Sequence, residues 1–128
     1  MNLLLDTDVL IYFLRGDKKV RPIFALHDRF YYSYVTRKEL LKKPGLSRKE
    51  RDAVETILGR MRQTPVDGAI ASSAEALRKR YGGRGLQIAD ALIAATAISL
   101  QAVLVTFNQK HYRMIEGFRL FPVEKLSY

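Results

Sequence analysis

Cysteine is absent from this 128-residue sequence, and that absence removes several chemistries at once. Disulfide scaffolds, thiolate zinc sites, iron–sulfur clusters and thiol nucleophiles are all excluded. Histidine is nearly absent as well: His27 and His111 are the only two, too few for a histidine-rich metal centre. Long apolar runs are lacking. The N-terminal apolar stretch has no basic flank and is broken by Asp6 and Asp8, so no secretory signal is expected. Ala91–Phe107 carries Thr96, Ser99 and Gln101, and is too short and too polar to span a membrane. A cysteine-free chain without such segments is expected in the cytoplasm. Acidic residues are also scarce, 13 Asp and Glu against 22 Lys and Arg, which leaves a formal net charge of +9. That balance favours polyanionic partners, namely nucleic acid, an anionic membrane surface or an acidic protein. A merely basic, well-solvated surface is the plain alternative.

What is present is a globular composition. The 48% hydrophobic content excludes a disordered basic tail, and the length suits one domain over residues 1–128. Leu3–Leu5 reads as a strand buried on both faces. Asp8 is expected to cap a helix over Val9–Arg15, closed by Gly16. A weaker helix is expected over Val20–His27, starting near Pro22. Phe30–Val35 is aromatic and β-branched, hence a strand. Thr36-Arg37-Lys38-Glu39 has the form of a capping box, with Val35 and Leu40 as its hydrophobic staple, and Pro44-Gly45 ends that helix. Ser47 caps a helix over Arg48–Arg62, and Asp67 caps another through about Tyr81, separated by a short strand over Thr64–Val66. The glycines at 82, 83 and 85 read as helix termination. Leu86–Leu100 is the most apolar helix and is expected to be central. Ala102–Thr106 is a strand, Gln109–Ile115 a short helix, and Phe118–Val123 an edge strand because Pro122 cannot donate to a ladder. Strands alternating with helices predict an α/β fold with a mainly parallel sheet. In such sheets the working crevice lies beyond the carboxyl ends of the strands.

That rule directs attention to three carboxylates. Asp6 follows a wholly apolar strand, Glu39 lies one turn after the second strand, and Asp90 opens the most apolar helix. Each has a structural explanation: a turn bond for Asp6, the capping box for Glu39, the positive helix end for Asp90. Together they would repel one another, a penalty that a hard divalent cation such as Mg2+ or Mn2+ reverses. The basic excess is concentrated elsewhere. Residues 36–63 carry a net +5, nine basic against four acidic, and Arg78, Lys79, Arg80 and Arg84 form a second cluster. An acidic, cation-holding centre with a basic rim suits phosphodiester cleavage. Arg37, Lys38, Lys42, Lys43 and Arg84 are the candidates for holding the flanking nucleic-acid backbone, with a solvated helix face as the alternative for each.

Four segments carry a family resemblance: LLLDTDVLIYFL (3–14), SYVTRKELL (33–41), IADALIAATAI (88–98) and LVTFNQKHY (104–112). In this order and spacing they resemble the blocks of PIN-domain ribonucleases, and most of all the small VapC-type toxins of toxin–antitoxin modules. The resemblance implies a three-layer α/β/α sandwich. It implies an endoribonuclease that uses Mg2+ or Mn2+ and leaves a 5′-phosphate and a 3′-hydroxyl. It also implies a homodimer, held inactive by a cognate antitoxin. Carried over by position, Asp6, Glu39 and Asp90 are the catalytic and metal-holding acids. Asn108 stands where the family has a further acid, and would bind a hard cation more weakly. Thr106 and Thr7 are the supporting hydroxyls. Asp8 is assigned to helix capping ahead of ligation.

Two other readings compete. The strand-D-x-D start also matches haloacid dehalogenase-like phosphatases, where the first Asp is a nucleophile. Here Val9 and Leu10 replace the Gly and Thr of that pattern, and no downstream paired-Asp motif follows. The second is a catalytically weak or inactive PIN-like domain that binds RNA or an acidic protein without cutting. Gly82–Gly85 lacks the Lys-Ser/Thr ending of a phosphate loop. His111 is assigned a structural role, and of Tyr31, Tyr32 and Tyr34, offered for base stacking, at least one is expected to face the core.

Overall fold

A computed structural model describes residues 1–26 and 28–125. Its elements are β1 (Asn2–Leu5), α1 (Thr7–Leu14), α2 (Arg21–Phe24), β2 (Arg29–Ser33), α3 (Tyr34–Leu41), α4 (Arg48–Leu58), β3 (Arg62–Thr64), α5 (Gly68–Tyr81), α6 (Ile88–Leu100), β4 (Val103–Val105) and β5 (Arg119–Leu120). The five strands form one sheet in the order β3-β2-β1-β4-β5, and every neighbouring pair is parallel. From β1 the chain winds outward to β2 and β3. It then returns to the other side of β1 with β4 and β5. The reversal falls between β1 and β4, where an open parallel sheet leaves a crevice at its carboxyl edge.

Side-chain alternation along the strands explains the layers. Leu3, Leu4 and Leu5 are all fully buried, yet successive residues point to opposite faces. Leu4 and Leu104 join the core under α5 and α6, with Ile70, Ala74, Ala91 and Ile93. Leu3, Leu5, Val103 and Val105 join the core under α1 to α4, with Leu10, Ile23, Val54 and Ile57. Helices therefore cover both faces, and the α/β/α sandwich expected from the sequence is the fold found. A strand covered on both sides has no solvent face to mark with polar residues, which is why β1 and β4 read as unbroken apolar runs. Each buried leucine contributes roughly 1.5–3 kcal/mol.

Several local expectations are corrected. Asp6, not Asp8, is the N-cap of α1, and its carboxylate accepts from the Thr7 N–H; α1 thus starts two residues earlier than expected. The strand expected to end at Val35 ends at Ser33, whose hydroxyl accepts from the Val35 N–H and caps α3. Thr36 is consequently the third residue of the helix rather than its cap. The expected Thr36–Glu39 capping box and its staple do not form. Ser47 and Glu50 do form one at the start of α4, and Asp67 caps α5 through the Ile70 N–H. The helix expected over Val20–His27 is a 3-10 turn over Lys18–Val20 followed by α2, and His27 lies outside the described residues. β3 begins two residues earlier than expected, and Gln109–His111 is a 3-10 turn rather than a longer helix. After α5 a 3-10 turn ends at Gly85, whose φ of +98° is a left-handed stop. Among the described residues no helix is long and apolar enough to cross a membrane.

Candidate active site

The end of β1 and the end of β4 are tied together by the Asp6 N–H, which donates to the Val105 carbonyl at 3.0 Å. This places Asp6 and Thr106 side by side at the switch point. The Asp6 carboxylate is nearly closed off from solvent, at 8% exposure. Its Oδ1 accepts from the Thr7 N–H at 2.8 Å. Its Oδ2 accepts from the Thr106 hydroxyl at 3.0 Å and from the Tyr112 hydroxyl at 3.1 Å. Burial pushes the Asp6 carboxyl above the ordinary carboxylate range, and the three hydrogen bonds only partly offset it.

Asp90, in the first turn of α6, faces Asp6 across Tyr112. The same Tyr112 hydroxyl lies 3.3 Å from Asp90 Oδ1, and His111 Nδ1 lies 3.6 Å from Asp90 Oδ2. Gln87 at the start of α6 makes no side-chain cap bond, so Asp90 stands against an uncapped positive helix end. Glu39 reaches in from α3. Burial first, and Asp6 second, raise its carboxyl, while Lys42 and the Thr7 hydroxyl pull it back. Thr7 also shares a hydrogen bond with Thr36 at 3.0 Å, which joins the start of α1 to α3.

Asp8 has a larger part in the site than helix capping would give it. Its Oδ1 accepts from the Val9 N–H at 2.8 Å, and its Oδ2 accepts from the Phe107 N–H at 2.9 Å. It is thereby a strut between α1 and the loop after β4, and burial together with Asp6 pushes its carboxyl up to about 6. Tyr112 closes the LVTFNQKHY segment, but no role in the site is assigned to it from the sequence. The available signal is chemical: a tyrosine buried in a short loop beyond a site strand must find a partner for its hydroxyl.

These groups line one cleft of about 240 Å3, whose walls include Asp6, Asp8, Glu39, Asp90, Asn108 and Tyr112. Asn108 stands at its exposed rim, held through its backbone N–H to the Thr106 hydroxyl at 3.1 Å. The five basic residues expected to hold RNA are placed outside this cleft. Arg37 pairs with Glu55 at 2.6 Å and Lys43 with Glu50 at 2.8 Å. Lys38 lies 6.0 Å from the centre of the Tyr34 ring, Lys42 lies near Glu39, and Arg84 is exposed in the turn after α5. Tyr32 is the core-facing tyrosine and meets Gln63 at 3.3 Å, while Tyr34 is exposed.

The donor set is entirely oxygen, the kind of ligand that hard divalent cations take. Buried, mutually repelling carboxyls are also the arrangement that such a cation relieves. Among the described residues no three His, Asp or Glu side chains stand close enough to grip one ion by themselves. That spacing suits an ion held by one or two carboxylates with water and substrate phosphate completing its shell.

Fold and cleft together define an open, parallel α/β domain with an acidic pocket at the strand switch point. A family model described as PIN domain matches residues 3–116, and the chain belongs to that family. It is 33% identical to Ribonuclease VapC19 of Mycobacterium tuberculosis over 117 residues, 87% of this chain and 92% of that protein. It is 34% identical to Ribonuclease VapC10 of the same organism over 122 residues, 91% and 90% of the two chains. Among solved structures, DNA-bound VapBC from Salmonella typhimurium superposes with a TM-score of 0.84 at 25% identity, covering 94% of this chain and 97% of that one. VapBC-1 from nontypeable Haemophilus influenzae gives 0.82 at 25% identity, covering 98% and 100%.

Proposed function

We propose that this chain is an endoribonuclease and the toxin of a toxin–antitoxin pair, with RNA as substrate and a cognate antitoxin as partner. The observation that carries the proposal is the gathering of Asp6, Glu39 and Asp90 on one cleft at the switch point, in a chain similar over most of its length to VapC ribonucleases. The VapBC complexes among the solved neighbours support the antitoxin. A homodimer and a cytoplasmic location complete the proposal.

Dependence on Mg2+ or Mn2+ is part of the same reading. Asp6, Glu39 and Asp90 would hold the ion, one or two of them directly and the rest through water, with Asn108 as a weaker oxygen donor at the rim. When bound there, the cation supplies charge neutralisation on the scissile phosphate and activation of water as the nucleophile. The chain's own contribution is orientation. Thr106, Tyr112 and the Thr7 N–H fix the Asp6 carboxylate in one rotamer, and Thr7 steadies Glu39. Asp8 fixes the Phe107-Asn108 backbone.

The test is cleavage of a mixed RNA pool with Mn2+ or EDTA by wild type, Asp6→Asn and Asp90→Asn. Mn2+-dependent cutting that both substitutions abolish is the expected result. RNA binding without cutting, indifferent to EDTA and to Asp90→Asn, would establish the non-catalytic PIN-like alternative instead.

A further inference from the structure

A second concavity adjoins the acid cleft and has the opposite charge. It measures about 530 Å3, and its walls include Lys19, Phe107, Asn108, Lys110, Arg113 and Glu124. Ligand pockets span roughly 300–1,000 Å3, so this groove has room for part of a bound chain. Asn108 lines both concavities, so the groove begins where the acid cleft ends. Three cations face one anion, Glu124, across it. None of the three forms an ion pair among the described residues.

The contrast with α3 is informative. There, Arg37 and Lys43, two of the basic residues expected to hold RNA, are occupied by Glu55 and Glu50. A cation already paired gains less from a phosphate, because the existing pair must be broken first. Lys19, Lys110 and Arg113 carry no such cost. Lys19 is held over the Phe107 ring at 4.9 Å, and the Phe107 backbone is fixed by Asp8. The floor of the groove is therefore anchored to the same strut that shapes the acid cleft.

We propose that this groove is the subsite that holds the phosphates of the RNA strand flanking the cleavage point, with Lys19, Lys110 and Arg113 as its cationic groups. The inference rests on the ribonuclease reading above and adds the direction in which the strand leaves the cleft: over Asn108 and Phe107, away from α3. An acidic segment of a protein is the rival occupant, and the experiment separates the two.

The measurement is binding of a fluorescent 12-nucleotide single-stranded RNA in EDTA, across a salt series. Wild type is compared with a Lys19→Gln/Lys110→Gln/Arg113→Gln variant and with an Arg37→Gln/Lys43→Gln variant, which removes the paired cations at α3. Thermal melts check that each is folded. For a single strand, each phosphate that is no longer neutralised lowers the slope of log K against log salt by about 0.7, so the slope of the groove variant should be shallower by about 2. It should also bind at least about tenfold more weakly, and the α3 variant should change much less. A groove variant with wild-type affinity and slope overturns the inference while wild-type cleavage leaves the ribonuclease reading standing. A groove variant that keeps its RNA affinity but loses binding to poly-L-glutamate also overturns it, and assigns the groove to a protein. A wild type that neither binds nor cuts RNA overturns the ribonuclease reading and this inference with it.

Discussion

Tyr112 donates its hydroxyl to Asp6 at 3.1 Å from a side chain that is itself only 1% exposed. The two residues are 106 positions apart in sequence, and the bond closes the cleft from below. Tyr112→Phe keeps the ring and its packing against Phe118 but withdraws one donor from a buried carboxylate. The expected cost is about 1–3 kcal/mol of stability in metal-free buffer, read from urea unfolding. Equal stability of wild type and variant would mean that Thr106 and the Thr7 N–H suffice for Asp6.

Asp8 sets a pH dependence. Its carboxyl is raised from an ordinary value near 3.8 to about 6, by burial first and Asp6 second. Between those values the folded chain keeps a proton that the unfolded chain has released. The stabilisation is fully present below about pH 4 and is lost as pH rises through about 6, by roughly 2–3 kcal/mol. Asp8→Asn retains an acceptor for the Phe107 N–H without the charge. In EDTA, wild type should therefore lose stability relative to Asp8→Asn between about pH 4.5 and 7.5. A gap that stays constant with pH would contradict the assignment.

Thr106 is the hydroxyl on which two hydrogen bonds turn, donating to Asp6 and accepting from the Asn108 N–H. Thr106→Val removes both at nearly constant volume. Groups that orient a ligand in this way typically carry about 10–100-fold in metal affinity or activity, so Mn2+ binding by calorimetry should weaken by about that factor. Unchanged Mn2+ affinity would show that Asp6 is oriented without Thr106, or is not a ligand.

Glu39 separates a structural role from a chemical one. As a capping-box residue its replacement would cost about 1 kcal/mol. In the cleft its carboxylate is disfavoured by burial and by Asp6, so Glu39→Gln at pH 7 should leave stability unchanged or raised. Mn2+-dependent cleavage should nevertheless fall by at least about tenfold. Loss of stability with full activity is the opposite pattern, and would make Glu39 a packing residue of α3 rather than part of the chemistry.

The strands that build the switch point were legible because burial on both faces leaves an apolar signature, as in Leu3–Leu5 and Val103–Val105. Asp6 and Asp90 stand out because a carboxylate at the end of such a strand, or amid alanines, calls for a partner; Glu39 stands out only through the family resemblance and its place after the second strand, and all three line one cleft. What could not be read was side-chain competition. Ser33 and Thr36 both suit an N-cap; the pairing of β2 with β3 ends at Ser33, which takes it. Asp6 and Asp8 compete in the same way, and the outcome depends on the Phe107 N–H, 99 residues beyond Asp8. Tyr112 and the groove beside Asn108 are products of tertiary placement alone. The charge excess also does not reveal how its members are partnered, and acids on α4 occupy Arg37 and Lys43.

The bond between Thr106 and Asp6 spans 100 residues, and this has a consequence for the order in which the protein is made. Asp6 leaves the ribosome before Glu39, and synthesis must then pass through α4, β3 and α5 before Asp90, Thr106 and Tyr112 exist. β1 cannot gain its second neighbour until β4 is complete. A nascent chain therefore carries the first acid without the hydroxyls that aim it until about a hundred further residues have been added. A chain interrupted anywhere before β4 would lack both Thr106 and Tyr112, so the cleft can be assembled only after both have been added.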